Sequence, residues 1–377
     1  MKQLCRSALG ICAGLVLAAT GMAAGKPPAI VVDAAARAFL TANPRAVGIS
    51  IGVYQGGKTY AFNYGFVAPE IKRAPTADTL YPIASITKTF TGALLAQAQL
   101  DGRLKLADDV RNYLDGSYPN LEFEGHPIRL FDLLDHRSGL PFILPERPET
   151  QPDFASDTPW AERVGAILKG YSRSDFYADL HKVKLAAAPG DSFRYSNAAA
   201  QLAGYVLERV YGGKYEMLLK QNVLRPLGMD DTTITLTPRQ LTTRTRGYDG
   251  KRALMPDSPD ELQGAAAIKS SVNDLLKYVA WQIVESDPAV KLSHQSFFTS
   301  GNYSAGLNWQ MLSAPGKRVI WQTGDLEGFH AYCIVEPERK LGLVALFNQA
   351  DRETNGAHGR MVNEILVGLD TEALPLP

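Results

Sequence analysis

The strongest constraint on the fold is where the strand-like stretches fall: at the two ends of the chain, with most of its length between them. Residues 47–54 and 59–66 are strand-like and meet through Gly56-Gly57, which makes them a hairpin. Residues 318–322, 329–336 and 341–347 alternate or run apolar like neighbouring antiparallel strands, and Pro337-Glu338-Arg339-Lys340 turns between the last two. A lone hairpin is marginal in water, so the two sets must complete one sheet. The chain between them reads mainly as helix broken by turns. The expected fold is therefore α+β. An antiparallel sheet flanked by helices, an α/β sandwich, is built from residues 25–82 and 305–377, and a mostly helical domain is inserted over 83–304. Helices over 30–42 and 357–367 belong to the sheet domain, and the active site is expected at the junction of the two domains.

A length of 377 residues allows two domains or one large one, and 45% hydrophobic with 21% charged residues is ordinary for a soluble globular chain. Lys and Arg number 39 and Asp and Glu 39, with no basic run that would attract nucleic acid. The first 24 residues differ. Lys2 and Arg6 precede an apolar run over 8–19, and Gly21-Met22-Ala23-Ala24 supplies small residues for cleavage. The run is too short to span a bilayer and reads as an export signal. The mature chain is then expected to be periplasmic or secreted, with no stable membrane anchor. Losing Lys2 and Arg6, and no acidic residue, takes the net charge from 0 to −2. Cys5 and Cys12 leave with the signal. Cys333, in an apolar strand pattern, is left without a disulfide partner and reads as a buried small hydrophobe. The histidines at 126, 136, 181, 294, 330 and 358 show no metal-ligand spacing, and no phosphate loop or dinucleotide fingerprint is present. No metal or cofactor is expected. His136 and His330 lie in segments near the candidate site, and a structural role is expected of both.

The helical block opens with Pro82-Ile83-Ala84-Ser85-Ile86-Thr87-Lys88, a turn running into a helix over 85–100. Residues three apart share a helix face, so Ser85 and Lys88 point the same way. A serine hydroxyl needs a base to become nucleophilic, and a desolvated lysine can be that base. Free N–H groups at a helix start favour an anion there. Tyr195-Ser196-Asn197 follows a Pro-Gly turn and precedes a helix over 198–210. A tyrosine can relay protons if its pKa falls, and a cation about 4 Å away at an effective dielectric of about 20 would supply roughly 4 kcal/mol toward that. Lys88 could be that cation. The Asn197 amide could orient the lysine and a substrate carbonyl. Tyr118-Pro119-Asn120 repeats the Tyr-x-Asn spacing, so the pattern alone does not choose between them. Gln322-Thr323-Gly324-Asp325 ends a terminal strand. Such an edge can pair with a substrate backbone and offer an N–H to an oxyanion, with glycine permitting close approach. Each motif also has an ordinary structural reading: a capped helix, a core tyrosine, a strand end.

Taken together and in order, these segments resemble the serine β-lactamase and penicillin-binding superfamily, in its class C β-lactamase-like branch. That branch also holds DD-peptidases, D-amino-acid amidohydrolases and esterases. Ser85-Ile86-Thr87-Lys88 is similar to the first family box. Leu133 to Pro141 resembles the helix-to-loop segment beside the site. Tyr195-Ser196-Asn197 resembles the tyrosine box, which Tyr118 lacks the flanks to match. Pro226-Leu227-Gly228-Met229 and the stretch 264–278 resemble later family segments, and Thr323-Gly324 resembles the third box. The resemblance implies a β-lactamase/transpeptidase-like fold and an acyl-enzyme on Ser85. Lys88 and Tyr195 would share general-base work, and Asn197 would orient them. The N–H groups of Ser85 and Asp325 would hold the oxyanion, on a substrate strand of Gln322, Thr323, Gly324 and Asp325. Lys269-Ser270-Ser271 is a rival third box, set aside because its serines read as a helix cap.

One position departs from the family pattern. The third box usually begins with lysine or histidine, and here it is Gln322, with Asp325 and Glu327 adding negative charge nearby. This disfavours substrates recognised by a free carboxylate and favours neutral or amine-bearing substrates, or esters. The expected function is an exported serine hydrolase acting on D-amino-acid peptides or amides, including peptidoglycan-type peptides, or on β-lactams. The alternatives are a carboxylesterase of small esters and a non-hydrolytic cell-wall sensor or scaffold on the same fold.

Overall fold

The computed structural model describes residues 26–151, 160–257, 260–326 and 328–376. The export signal read over 1–24, and Glu327, lie outside the described residues. Among the described residues no helix is long and apolar enough to cross a membrane.

Strands from both ends of the chain share one antiparallel sheet. From the N-terminal end come β1 (Gly48–Gln55) and β2 (Lys58–Gly65). From the C-terminal end come β3 (Phe298–Ser300), β4 (Tyr303–Ala305), β5 (Gln310–Ala314), β6 (Lys317–Leu326), β7 (Phe329–Glu336) and β8 (Leu341–Phe347), giving the order β2-β1-β8-β7-β6-β5-β4-β3. The join is β1 against β8, with Ile49 opposite Phe347 and Gln55 opposite Leu341. Gly56 and Gly57 close the first hairpin with positive φ at both positions, which matches the twist of the strands they connect.

The sheet is covered on both faces, which is why β8 is buried along its whole length and shows no alternation. One face carries α1 (Pro28–Ala42) and α5 (Arg352–Leu369), which pack Val32, Phe39, Met361 and Ile365 against Ile51, Trp321 and Leu343. The other carries α4 (Val272–Ile283) and, beyond it, α2 (Thr87–Leu100). There Val272, Leu276, Phe90 and Leu94 share one apolar interior with Val344, Cys333 and Ile320. This second core runs on without a break into the helical block, through Leu133 and Leu202. α4 is capped by Ser271, whose hydroxyl accepts from the Asp274 N–H. Lys269 and Ser270, by contrast, form a short strand antiparallel to Tyr81 and Pro82, so the rival segment is part cap and part strand. The block between Leu100 and α4 is less helical than its sequence period indicates. The stretch over 130–134 is one 3-10 turn at Phe131–Leu133, and several connections are irregular.

Candidate active site

Ser85 lies where the chain leaves the sheet layer for the helical block. Tyr81 and Pro82 are held by Ser270 and Lys269, and the Ile83 N–H donates to the Ile268 carbonyl at 3.0 Å. The chain then makes a 3-10 turn over Ala84–Ile86 before α2 begins at Thr87, so Ser85 precedes the α-helix rather than opening it. Ala84 has φ of 48°, a left-handed conformation that costs a non-glycine residue about 1–2 kcal/mol. The turn still stacks Ser85 over Lys88, and the N–H groups that follow Ser85, of Ile86 and Thr87, close onto the Ile83, Ala84 and Ser85 carbonyls.

α2 runs through the interior, and its polar residues are all engaged. Thr91 Oγ1 donates to the Gly264 carbonyl at 2.6 Å, and Thr87 Oγ1 accepts from the Ile268 N–H at 3.2 Å. These bonds bring the 264–268 segment alongside, and its Ala265 carbonyl lies 2.9 Å from Lys88 Nζ. Lys88 is fully buried. Burial alone pushes its pKa well below the ordinary lysine value, and no carboxylate pairs with it among the described residues. Its Nζ is 2.9 Å from Ser85 Oγ.

Tyr195 comes from the loop before α3 (Asn197–Tyr211) and is clamped by the Leu133–Pro141 stretch. The Arg194 N–H donates to the His136 carbonyl at 2.7 Å, and Ser196 Oγ donates to the Pro141 carbonyl at 2.6 Å. Arg137 pairs with the buried Asp135 carboxylate and donates to the carbonyls of Gly190 and Phe297. So held, the Tyr195 phenol donates to Ser85 Oγ at 2.6 Å, and Lys88 Nζ lies 4.9 Å from the centre of its ring. Burial raises the phenol's pKa, and the Asp325 charge adds to the rise. A charged Lys88 at this distance would lower the tyrosine's pKa, as expected from the sequence. Instead, desolvation acts on both groups and favours a neutral amine beside a neutral phenol. A neutral amine has a lone pair free to take the Ser85 proton while its own N–H donates to Ala265, and the phenol on the same oxygen is placed to hand its proton to a leaving group.

His136 stands behind the tyrosine, with ring centres 4.3 Å apart and a left-handed φ of 62°. Its Nδ1 accepts from the Ser196 N–H at 3.4 Å, which assigns the ring proton to Nε2. Burial, with a smaller contribution from Lys88, takes its pKa down to about 3, so it packs as a neutral ring.

Asn197 is buried at the first helical position of α3, and Ser196 rather than Asn197 is the cap, its hydroxyl accepting from the Ala199 N–H. The Asn197 backbone N–H donates to the Phe142 carbonyl at 2.7 Å. Among the described residues no hydrogen bond joins its side chain to Lys88, and the Ala265 carbonyl has that position instead.

The third segment reaches the serine because β5 stops. β5 pairs with β6 only as far as Gln310 opposite Trp321, so the β6 edge from Gln322 onward faces the serine turn. Gly324 allows the approach, since a Cβ there would lie 3.0 Å from Ala84 Cβ and closer still to the Ile83 carbonyl oxygen. The Thr323 N–H donates to Gln322 Oε1 at 3.0 Å, so it points to this edge and away from β7. By the two-residue repeat of a strand, the Asp325 N–H points the same way. Gln322 is buried, and its Nε2 donates to the Asn308 carbonyl at 2.7 Å. Asn308, in a left-handed conformation, donates from its side chain to the Lys88 carbonyl at 3.1 Å. Gln322 thus ties the third segment to the first through Asn308.

The structure brings Ser85, Lys88 and Tyr195 into contact and sets Gly324 and Asp325 beside them. Sequence reasoning missed Ala265 and Asn308. The long apolar stretch before Ser270 carried no side chain to notice in one case, and an isolated asparagine in a loop gave no signal in the other. Tyr118 stacks on His181, elsewhere in the helical block. Among the described residues no group of His, Cys, Asp and Glu could hold a metal ion.

A serine flanked by a buried lysine and a tyrosine, with a strand edge alongside, defines a serine acyl-transfer hydrolase of the β-lactamase and penicillin-binding type. Comparison with known proteins agrees. A family model described as Beta-lactamase matches residues 32–366, and the chain belongs to that family. A beta-lactamase from Pseudomonas fluorescens is 28% identical over 363 residues, covering 86% of this chain and 94% of that protein. The D-alanyl-D-alanine-carboxypeptidase/endopeptidase AmpH of Escherichia coli K12 is 28% identical over 317 residues, covering 79% and 78%. A class C beta-lactamase structure shares the fold with a TM-score of 0.76 at 24% identity, covering 92% of this chain and 97% of that one. The chain is a β-lactamase-like serine hydrolase of α+β fold.

Proposed function

We propose that Ser85 is the nucleophile of an exported hydrolase that works through an acyl-enzyme on D-amino-acid peptides or amides, or on β-lactams. The observation that carries the reading is Ser85 Oγ, 2.9 Å from the Lys88 amine and 2.6 Å from the Tyr195 phenol. In acylation, Lys88 takes the Ser85 proton as Oγ bonds to the substrate carbonyl carbon. The resulting oxyanion is held by the N–H groups of Ser85 and Asp325. The carbon–nitrogen bond then breaks, and the proton reaches the leaving amine by way of Tyr195. Water repeats the sequence to release the acid. Asn197, at the start of α3, is proposed to orient the substrate carbonyl. Export rests on the basic, apolar and small-residue order of residues 1–24.

Hydrolysis of small esters is the second reading, favoured by a neutral Gln322 whose amide is engaged with Asn308. Steady-state kinetics on nitrocefin, p-nitrophenyl acetate and a D-Ala-D-Ala peptide, with wild type and Ser85→Ala, separate these readings. Turnover lost in Ser85→Ala supports the nucleophile, and the preferred substrate assigns the class. Turnover that survives the substitution removes Ser85 from the role. No turnover on any of the three points to a binding protein.

A further inference from the structure

The side chain of Asp325 has no part in the chemistry above, yet it stands beside it. Its backbone N–H faces the serine edge, and its carboxylate is 58% exposed. One Oδ1 oxygen is held from beneath by Asn355 Nδ2 at 2.7 Å and faces His330 Nε2 at 3.5 Å. His330 Nδ1 in turn lies 3.2 Å from His358 Nδ1, and both rings are buried. Two facing ring nitrogens need one proton between them. If His330 supplied it, a bare nitrogen would be left facing a carboxylate. The consistent arrangement has His358 donating to His330, and the His330 Nε2–H directed at Asp325. Three side chains from β7 and α5 therefore fix the Asp325 carboxylate at the rim of the site. Among the described residues its Oδ2 oxygen has no partner.

This placement works against the reaction unless the substrate answers it. A substrate oxygen held by the Asp325 N–H, about 2.9 Å away, is within one side chain's length of the same residue's carboxylate. As the oxyanion forms, it adds a second negative charge to the edge where Asp325 already stands. The Asp325 charge is felt as far as Tyr195, whose pKa it raises. An ammonium between carboxylate and oxyanion cancels both penalties.

We infer that Asp325 is the anchor for a protonated amine on the acyl side of the scissile bond. The substrates are amino-acid amides, peptides or esters whose first residue carries a free α-ammonium. This rests on the acyl-enzyme reading and narrows it. An α-ammonium is two bonds from the reacting carbonyl carbon, and the Asp325 carboxylate carbon is three bonds from the N–H nitrogen, so the two are of comparable reach. A substrate whose acyl side bears a carboxylate is repelled at the same point.

The test is a matched pair, D-alanine p-nitroanilide and its N-acetyl derivative, with wild type and Asp325→Asn. Wild type should prefer the free amine by about two- to fivefold in kcat/KM, the scale of one exposed ion pair. Asp325→Asn should lower the rate on the free amine and raise it on the acetylated substrate, because the uncompensated charge near the oxyanion is gone. A structural defect would lower both, so the crossing of the two changes is the diagnostic readout. Equal wild-type rates on the pair, or an equal loss on both in the variant, overturn the amine anchor. A burst of p-nitrophenolate from p-nitrophenyl acetate that Ser85→Ala abolishes would leave the acyl-enzyme reading standing in that case, and its persistence in Ser85→Ala would remove the reading itself.

Discussion

Gly324→Ala tests how closely the strand edge must approach the nucleophile. The added methyl would sit 3.0 Å from Ala84 Cβ and 3.1 Å from the Ile83 carbonyl carbon, with the Ile83 oxygen nearer still. Carbon atoms rest at about 3.5–4.0 Å, so one side must retreat by roughly 0.5–1 Å. Neither side is soft. Ile83 is bonded through its N–H to Ile268 and through its carbonyl to the Ile86 N–H, and Gly324 is paired with Ala331 of the fully buried β7. Overpacking of this kind costs about 1–3 kcal/mol of stability. Function should suffer more, because the same shift carries the Asp325 N–H away from the oxyanion position proposed for it. A misplacement near 1 Å or the loss of one oxyanion donor each cost about 10²-fold in rate. The assay is kcat on p-nitrophenyl acetate beside a thermal melt. A fall in kcat of about 10²-fold, with a melting temperature lower by only a few degrees, is expected. A folded Gly324→Ala enzyme within threefold of wild type would refute the argument that this edge helps build the oxyanion site.

Lys88→Met should abolish turnover and stabilise the fold. The unfolded lysine is protonated below its ordinary value of 10.5, whereas burial keeps the folded one neutral to a much lower pH. The unfolded state therefore binds the extra proton, and the penalty to wild type shrinks as pH rises to 10.5. Urea unfolding should show the variant ahead at neutral pH with the gap closing in alkali, and a constant gap would contradict a neutral Lys88. Arg137→Met strands the buried Asp135 carboxylate and should cost about 3–5 kcal/mol in urea unfolding, with much of it recovered by adding Asp135→Asn. A loss below about 1 kcal/mol would mean that the pair does not brace the tyrosine loop. Gln322→Lys should lower KM for carboxylate-bearing substrates, and an unchanged KM would show that this position does not read the carboxylate.

What could be read from the sequence was what local periodicity records. The i, i+3 spacing of Ser85 and Lys88, the Gly56-Gly57 hairpin, the β7 and β8 runs and the cap at Ser271 are all decided within a few residues, and the structure has them. The Tyr195 contact came from the order and flanks of the motifs, since the Tyr-x-Asn spacing by itself does not separate it from Tyr118. The rest depended on tertiary packing. β3 and β4 are three-residue strands at a sheet edge, too short to show alternation. The Ala265 carbonyl is a backbone atom that any residue would supply. A desolvated Lys88 is expected from the sequence, whereas the direction of the Tyr195 shift turned on how much burial outweighs a neighbouring charge. The His358–His330–Asp325 alignment joins α5 to β6 through β7, and histidines spaced 28 apart give no pattern to read.

The central claim is that Ser85 alone is made nucleophilic, by a neutral lysine and a tyrosine. Peptide mass mapping after treatment with a fluorophosphonate tests it most directly. One phosphonyl group per chain is expected on the peptide containing Ser85, absent from Ser85→Ala and formed far more slowly in Lys88→Met and Tyr195→Phe. Labelling on another residue, or at an unchanged rate in those two variants, would contradict it.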